Sequence, residues 1–252
     1  MSKNFVVVPC YNETPRLNWD NFVSLVADTD LILVFVNDGS TDDTGAQLAG
    51  LCDRLGERGQ IVEIEKNIGK GEAVRKGMLH ALDQGAELVG YIDADMSTPA
   101  SEIGRLLAIA VSGNYRAVMG ARIKILGHSI ERSAVRHILG RIFATFATTI
   151  LRVPVYDTQC GAKIFRVDTS LREALTGKFH SRWAFDVELI GRLTRPSNVP
   201  SMLPWDGIVE IPLKHWADGK NSKLGFLGMI RTVFDLIIIW SSLRRLKMHK
   251  KS

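Results

Sequence analysis

Two aspartates one residue apart, Asp93 and Asp95, close an apolar run in YIDADMSTPA (91–100). Carboxylates this close repel each other unless a cation stands between them. In an extended segment, side chains two positions apart point the same way, so both acids can address one ligand. Hard divalent ions such as Mg2+ or Mn2+ take carboxylate oxygens and bridge readily to substrate phosphates. The pair therefore predicts a metal-held diphosphate, with Asp93 and Asp95 as ligands; alone, it would equally suit a solvated turn or a helix cap. Asp38 in VNDGSTDDT stands at a strand end before Gly39, where it can accept hydrogen bonds from a base or ribose. Ser40 to Asp43 read as caps for the following helix. Lys70, between Gly69 and Gly71 at a helix start, is placed to face an anion.

A second group is basic. Arg122, Arg132 and Arg136 follow the fifth predicted strand, and the planar guanidinium fork matches phosphate oxygens. Arg136 fits solvent or anionic lipid equally well. Arg182 and Asp186 of RWAFDVEL read either as a buried ion pair steadying the second half of the chain or as direct participants. The six histidines show no metal-ligand spacing, and only His128 lies near the basic cluster. Trp183, Phe185 and Trp205 are expected in the core.

These residues need a scaffold. Short β-branched runs at 5–8, 31–36, 61–64, 88–92 and 116–122 alternate with helical patterns, and Pro99 marks a helix start. That rhythm predicts an α/β fold: a mostly parallel central sheet with helices on both faces. Such sheets bind ligands at the carboxyl ends of their strands, where PCYNET, NDGSTDD and DADMST all fall. The first turn lacks G-x-G-x-x-G, so phosphates must be held otherwise than in a dinucleotide fold. Beyond about residue 123 the rhythm stops, and the rest, with a further strand in IVEIPL (208–213), reads as a second lobe building the other wall of the site. One domain over 1–252 is expected, with 1–122 holding the donor, 123–223 the acceptor, and 224–252 an amphipathic helix and basic tail.

Lysine and arginine number 32 against 27 acids, a formal net charge of +5, too modest to predict a nucleic-acid partner. The three cysteines form no C-x-x-C pair and suit a reducing compartment. The first apolar run is too short for a signal peptide, and no stretch approaches the roughly 20 apolar residues of a membrane span. In the tail, Phe226, Ile230, Val233 and Ile237 recur at helical spacing, broadened by Leu227, Phe234 and Trp240. Arg244, Arg245, Lys247, Lys250 and Lys251 follow without an acid. This predicts peripheral, salt-sensitive binding to an anionic membrane surface.

The segments VVVPCYNE, FVNDGSTDDT, KNIGKGEA and YIDAD, in this order and spacing, resemble the inverting nucleotide-sugar glycosyltransferases of family 2. GAR, RSAVR, DTQCGAKIFR, RWAFDVEL and NSKL extend the resemblance to the subgroup acting on polyprenyl phosphates, its glucosyl-transferring dolichyl-phosphate members ahead of the mannosyl-transferring ones. The resemblance implies the GT-A nucleotide-sugar-binding fold, a divalent metal and hexose transfer with inversion in a glycosylation or cell-envelope pathway. Pro9, Tyr11 and Glu13 match first-loop positions that contact the nucleotide. Asp38 matches the nucleotide-binding acid, Lys70 the glycine-flanked loop, and Asp93 and Asp95 the diphosphate and metal pair. Arg122 and Arg132 match positions facing the acceptor phosphate, and Ser222 and Lys223 a late loop closing over the substrates. Asp95, Arg122 and Arg132 are thus the expected catalytic groups. The implied partners are a nucleotide diphosphate sugar (UDP-glucose before GDP-mannose), a polyprenyl phosphate, the cytosolic face of a membrane and a small integral-membrane protein. Two positions depart from the pattern: Asn37 replaces the first acid of D-D-G-S, and Ser97 stands where mannosyl-transferring members carry glutamine.

Three other readings share some of these features. A hydroxyl acceptor would need a base, with Asp186 the best placed. A sugar-1-phosphate nucleotidyltransferase would want a glycine-rich G-x-G-x-R turn, which is missing. A non-catalytic subunit could bind the nucleotide sugar alone.

Overall fold

Alternation along the first strand decides how the sheet is covered. In β1 (Asn4–Cys10), Val6 and Val8 enter one apolar core, while Phe5 and Val7 enter another on the opposite face. Both faces are therefore buried, which is why this strand reads as an uninterrupted apolar run. The computed structural model describes residues 3–131, 134–194, 205–217 and 234–244 (for 134–137, the backbone alone). The other main strands are β2 (Leu31–Asp38), β3 (Gly59–Ile64), β4 (Leu88–Ile92), β5 (Ala117–Ala121), β7 (Ala162–Arg166) and β8 (Ile208–Pro212). They form one seven-stranded sheet in the order β3-β2-β1-β4-β7-β5-β8. A short parallel pair, β6 (Ser129–Glu131) and β9 (His215–Ala217), stands apart.

The helices α1 (Trp19–Ala27), α2 (Thr44–Leu55) and α4 (Ala100–Ser112) bury apolar residues in the first core; α3 (Lys70–Asp83), α6 (Thr169–Thr176) and α7 (Phe185–Leu193) bury theirs in the second. Pro99 does cap α4, in extended conformation. The predicted, mostly parallel sheet is present, with one strand that the period did not reveal. AKIFR forms β7, inserted between β4 and β5 and antiparallel to both. The second lobe thus reaches into the middle of the sheet, and the register sets Lys163 opposite Tyr91.

The long apolar helix α5 (Ala134–Leu151) packs through Phe143 and Ala147 in a core shared with Val187 of α7 and with Leu236 and Ile239 of a helical segment, 234–244. No described helix is long and apolar enough to cross a membrane. The expected tail stripe is partly corrected: Leu236 and Ile239 face inward, with Leu243 against them, whereas Phe234, Ile237 and Trp240 are exposed. Phe226, Leu227, Ile230, Val233 and the basic residues after Arg244 lie outside the described residues.

Candidate active site

β1 pairs with β2 on one side and β4 on the other, both parallel. At such a switch point the connections leave in opposite directions, and a crevice opens at the carboxyl ends. The crevice here is a cavity of about 420 Å³ whose wall includes Pro9, Tyr11, Glu13, Asp38, Lys70, Asp93, Asp95 and Arg122. Eight expected site residues thus converge. Arg132, Ser222 and Lys223 lie outside the described residues, as does the side chain of Arg136.

The first two loops are cross-linked. Asn12, in left-handed conformation (φ 49°), receives Thr41 N–H on its Oδ1 at 2.8 Å and donates its own amide to Ser40 Oγ. Thr44 Oγ1 accepts Glu13 N–H at 2.7 Å and donates to Asp42 Oδ1 at 2.6 Å. The capping expectation holds for Asp42, whose Oδ1 accepts the Thr44 amide at the start of α2 at 3.1 Å, but not for Asp43, which makes no side-chain cap bond, nor for Ser40, which ties the two loops together. Glu13 is paired with Arg16 at 2.5 Å.

Asp38 is committed to its neighbours before any ligand arrives. Its oxygens accept the Ile68 and Gly69 amides at 2.8 and 2.9 Å, and Asn67 Nδ2 at 3.0 Å. Burial raises its carboxyl above the ordinary value against the pull of those amides. Asn37 explains one departure from the family pattern. Its amide donates to Glu63 Oε2 at 2.8 Å, so an aspartate there would meet a like charge.

Asp93 is pressed from two sides. Lys70 Nζ contacts its Oδ1 at 2.5 Å. On the other flank a Cβ at Gly161 would fall 2.0 Å from Asp93 Oδ2, so only glycine permits this approach. Lys70 itself is aimed by Gly69, whose φ of 100° ends the loop and begins α3, and whose missing side chain makes room for Arg182. Burial would lower the Lys70 pKa, but Asp93, Asp186 and Asp95 outweigh it and hold the ammonium above its usual value. Met96, also left-handed (φ 49°), turns the chain so that Ser97 N–H and Oγ both reach Asp95 Oδ1, at 3.1 and 2.8 Å. Ser97, the second departure from the family pattern, thus orients Asp95.

The second lobe departs from expectation. Arg122 directs its fork at Asp157, Nε to Oδ2 at 2.7 Å and Nη2 to Oδ1 at 2.8 Å, with its own amide on Oδ2 as well. It lies over Trp216 at 5.2 Å. An open fork awaiting an acceptor phosphate is therefore not what this residue offers; the carboxylate takes two of its nitrogens. Burial would push Asp157 up, but Arg122 holds it well below the usual carboxylate range. The Arg182–Asp186 ion pair is also absent. Arg182 donates to Asn67 O and Oδ1, at 2.9 and 2.7 Å. Asp186 instead takes Lys163 Nζ at 2.9 Å and the Tyr91 hydroxyl. Lys163 is wholly buried, and burial drives both members of the pair toward their neutral forms.

Trp183 corrects another expectation. It is 38 % exposed and lines the cavity, whereas Phe185 is core. Asp157, Lys163, Asn67 and Trp216 carried no assignment in the sequence. The signal for the first two was the segment DTQCGAKIFR, which carries the resemblance without singling out either residue. His128, by contrast, donates its Nδ1–H to Leu213 O, 2.9 Å away, and does not line the cavity.

Among the described residues no three histidine, cysteine or acid side chains gather as a ligand set. An ion on Asp93 and Asp95 would complete its shell from substrate oxygens and water, as Mg2+ and Mn2+ do at diphosphates.

The glycosyl transferase family 2 model matches residues 5–171. The chain is 31 % identical to a dolichyl-phosphate beta-glucosyltransferase of Drosophila melanogaster over 93 % of its own length and 73 % of that protein's. It is also 31 % identical to the Homo sapiens protein of the same name, over 93 % and 74 %. In structure it is similar to glucosyl-3-phosphoglycerate synthase of Mycobacterium tuberculosis, solved with Mn2+, UDP and glucosyl-3-phosphoglycerate. The TM-score is 0.68 at 21 % identity, covering 95 % of this chain and 80 % of that one. With the crevice at the β1/β4 switch and its acidic pair already in hand, the chain belongs to glycosyl transferase family 2 and is a glycosyltransferase of the GT-A fold.

Proposed function

We propose that the chain transfers glucose from UDP-glucose to a polyprenyl phosphate of the dolichyl type, inverting the anomeric centre. One observation carries the choice of acceptor. Asp186, the carboxylate best placed to serve as a base for a hydroxyl, is buried and already held by Lys163 and Tyr91. A phosphate monoester carries about −1.5 to −2 charge near neutrality and is already nucleophilic. It requires positioning and charge neutralisation rather than proton removal. The dolichyl-phosphate beta-glucosyltransferases aligned over nearly the whole chain support the same choice.

In this reading Pro9, Tyr11, Glu13 and Asp38 form the nucleotide wall, with the cross-linked first and second loops keeping it rigid. Asp93 and Asp95 would hold Mg2+ or Mn2+, which neutralises the departing diphosphate when bound. Lys70 adds a fixed positive charge beside Asp93. Arg122, its plane set by Asp157, presents its remaining edge to the acceptor phosphate; Arg132 joins it, Arg136 faces the lipid headgroups, and Ser222 and Lys223 close over the substrates. The site works at a membrane surface, on the cytosolic face, in keeping with three free thiols.

The test is a rate comparison with polyprenyl phosphate and polyprenol as acceptors, each with UDP-glucose and with GDP-mannose. Turnover is expected with the phosphate and UDP-glucose. Comparable turnover with polyprenol would sink the acceptor assignment, and preference for GDP-mannose the donor assignment.

A further inference from the structure

One stretch of chain, between α5 and β7, sets a group on each side of the cavity. Asp157, near its start, takes the Arg122 fork on both carboxylate oxygens. Gly161, at its end, accepts the Asp93 amide on its carbonyl at 3.1 Å and leaves room for the Asp93 carboxylate. That end is anchored separately, because Lys163 Nζ donates to Cys160 O at 2.5 Å.

The start is held from two directions. Helix α5 takes its carbonyls: Thr148 Oγ1 donates to Val155 O and Arg141 Nη1 to Tyr156 O, both at 2.9 Å. Strand β8 takes its amides. Glu210, opposite Met119 in the parallel register with β5, accepts Tyr156 N–H on Oε2 at 2.6 Å and Asp157 N–H on Oε1 at 2.8 Å. Among the described residues Glu210 has no ion-pair partner, so both of its oxygens serve backbone. Charge-assisted bonds of this kind are roughly twice as strong as neutral ones. Burial raises the Glu210 carboxyl, and the same two amides oppose the rise. Apart from Arg122, Asp157 accepts the Gln159 amide at 3.2 Å.

We infer that Glu210 is a positioning residue for the acceptor. By fixing the Tyr156 and Asp157 amides it sets where the Asp157 carboxylate stands, and through that carboxylate the plane of Arg122. Glu210 does not itself line the cavity, so its influence reaches the reaction only through this relay. That role presupposes the one proposed for Arg122 toward the acceptor phosphate. Glu210→Gln would present an NH2 donor to one of two backbone donors, breaking that bond and pushing the start of the segment aside. A bidentate fork is directional, so Arg122 turns with its carboxylate. Asp93, set from the anchored end, stays in place.

The test is a steady-state comparison of Glu210→Gln, Arg122→Gln and the double variant, with a short-chain prenyl phosphate and UDP-glucose as the varied substrates. Arg122→Gln keeps a donor for Asp157 but loses the fork. Glu210→Gln should raise KM for the prenyl phosphate about tenfold, the scale of a misplaced group, and leave KM for UDP-glucose within about twofold. In the Arg122→Gln background it should add less than about twofold, since the relay ends at the fork. Glu210→Asp, with two acceptor oxygens on a shorter stem, should raise the same KM less, and it carries the comparison if Glu210→Gln does not fold. An unchanged acceptor KM, equal factors on both substrates, or the full effect persisting without the fork would each overturn the assignment. Arg122→Gln alone with the parent's acceptor KM would overturn the reading of Arg122 first, and the role of Glu210 with it.

Discussion

In the half of the chain that ends at β5, two acids of the site are held by amides and hydroxyls close at hand, Asp38 by Ile68 and Gly69 and Asp95 by Ser97, while Asp93 and Glu13 meet Lys70 and Arg16 at the cavity wall. In the half beyond it, Asp157 and Asp186 are buried against Arg122 and Lys163. Amide-held acids keep lone pairs for a ligand and lose little if neutralised. A buried ionisable group held by another is different, because removing either partner leaves the other unmatched. The first half is therefore built to bind, and the second is built around pairs that fix the position of what binds.

The sharpest way to break this contrast is Lys163→Met. It strips Asp186 of its donor, leaving a buried carboxyl unmatched, and should cost about 3 kcal/mol of stability, read by denaturant unfolding. Lys163→Met with Asp186→Asn should recover more than half of that, since the unmatched carboxyl is gone and Tyr91 keeps a partner. A double variant no better than the single would contradict the pair's role.

Asp157→Asn should cost about 3 kcal/mol at neutral pH by leaving Arg122 unpaired. Because the folded Asp157 pKa is depressed, its stabilisation is complete above the unfolded value and is lost as pH falls through the folded one. The parent's advantage should thus be flat above about pH 5 and shrink below about pH 4. An advantage that grows on acidification would reverse the sign of the argument.

Asp95→Asn belongs to the other half and should behave in the opposite way. Transfer should fall on the order of 100-fold, the usual cost of losing one electrostatic contact to a developing charge, while the melting temperature barely moves. The smallest effect sits where the halves meet. Gly161→Ala forces Asp93 aside and should lower kcat about tenfold, as misplacement of a positioned group does, with donor affinity less affected. Unchanged turnover would mean that the close approach of Gly161 does not set Asp93.

The same contrast explains what was legible in the sequence. Strands of β-branched residues ending in polar loops announced β1, β2 and β4, and with them Asp38, Asp93 and Asp95, because sequence order and position in space coincide there. β7 was missed because five residues carry too little period to separate strand from loop. With it went the Lys163–Asp186 pair, whose members are 23 positions apart and meet only through the antiparallel insertion. The Arg122 fork was assigned to a phosphate because fork chemistry fits any carboxylate or phosphate; only the fold shows which arrives first. Trp183 was assigned to the core since an aromatic beside an apolar helix has no sequence mark of facing a cavity.

The central claim, that the first wall holds a nucleotide-bound glucose and the second directs a lipid phosphate at its far face, is tested most directly by the product. UDP-glucose labelled at the anomeric carbon is incubated with the chain, Mn2+ and a polyprenyl phosphate, and the new linkage is read by NMR. A glucosyl phosphodiester of β configuration is expected, formed from the α-linked donor in proportion to the lipid phosphate supplied. An α-linked product, or free glucose released at a rate indifferent to the lipid phosphate, would contradict it.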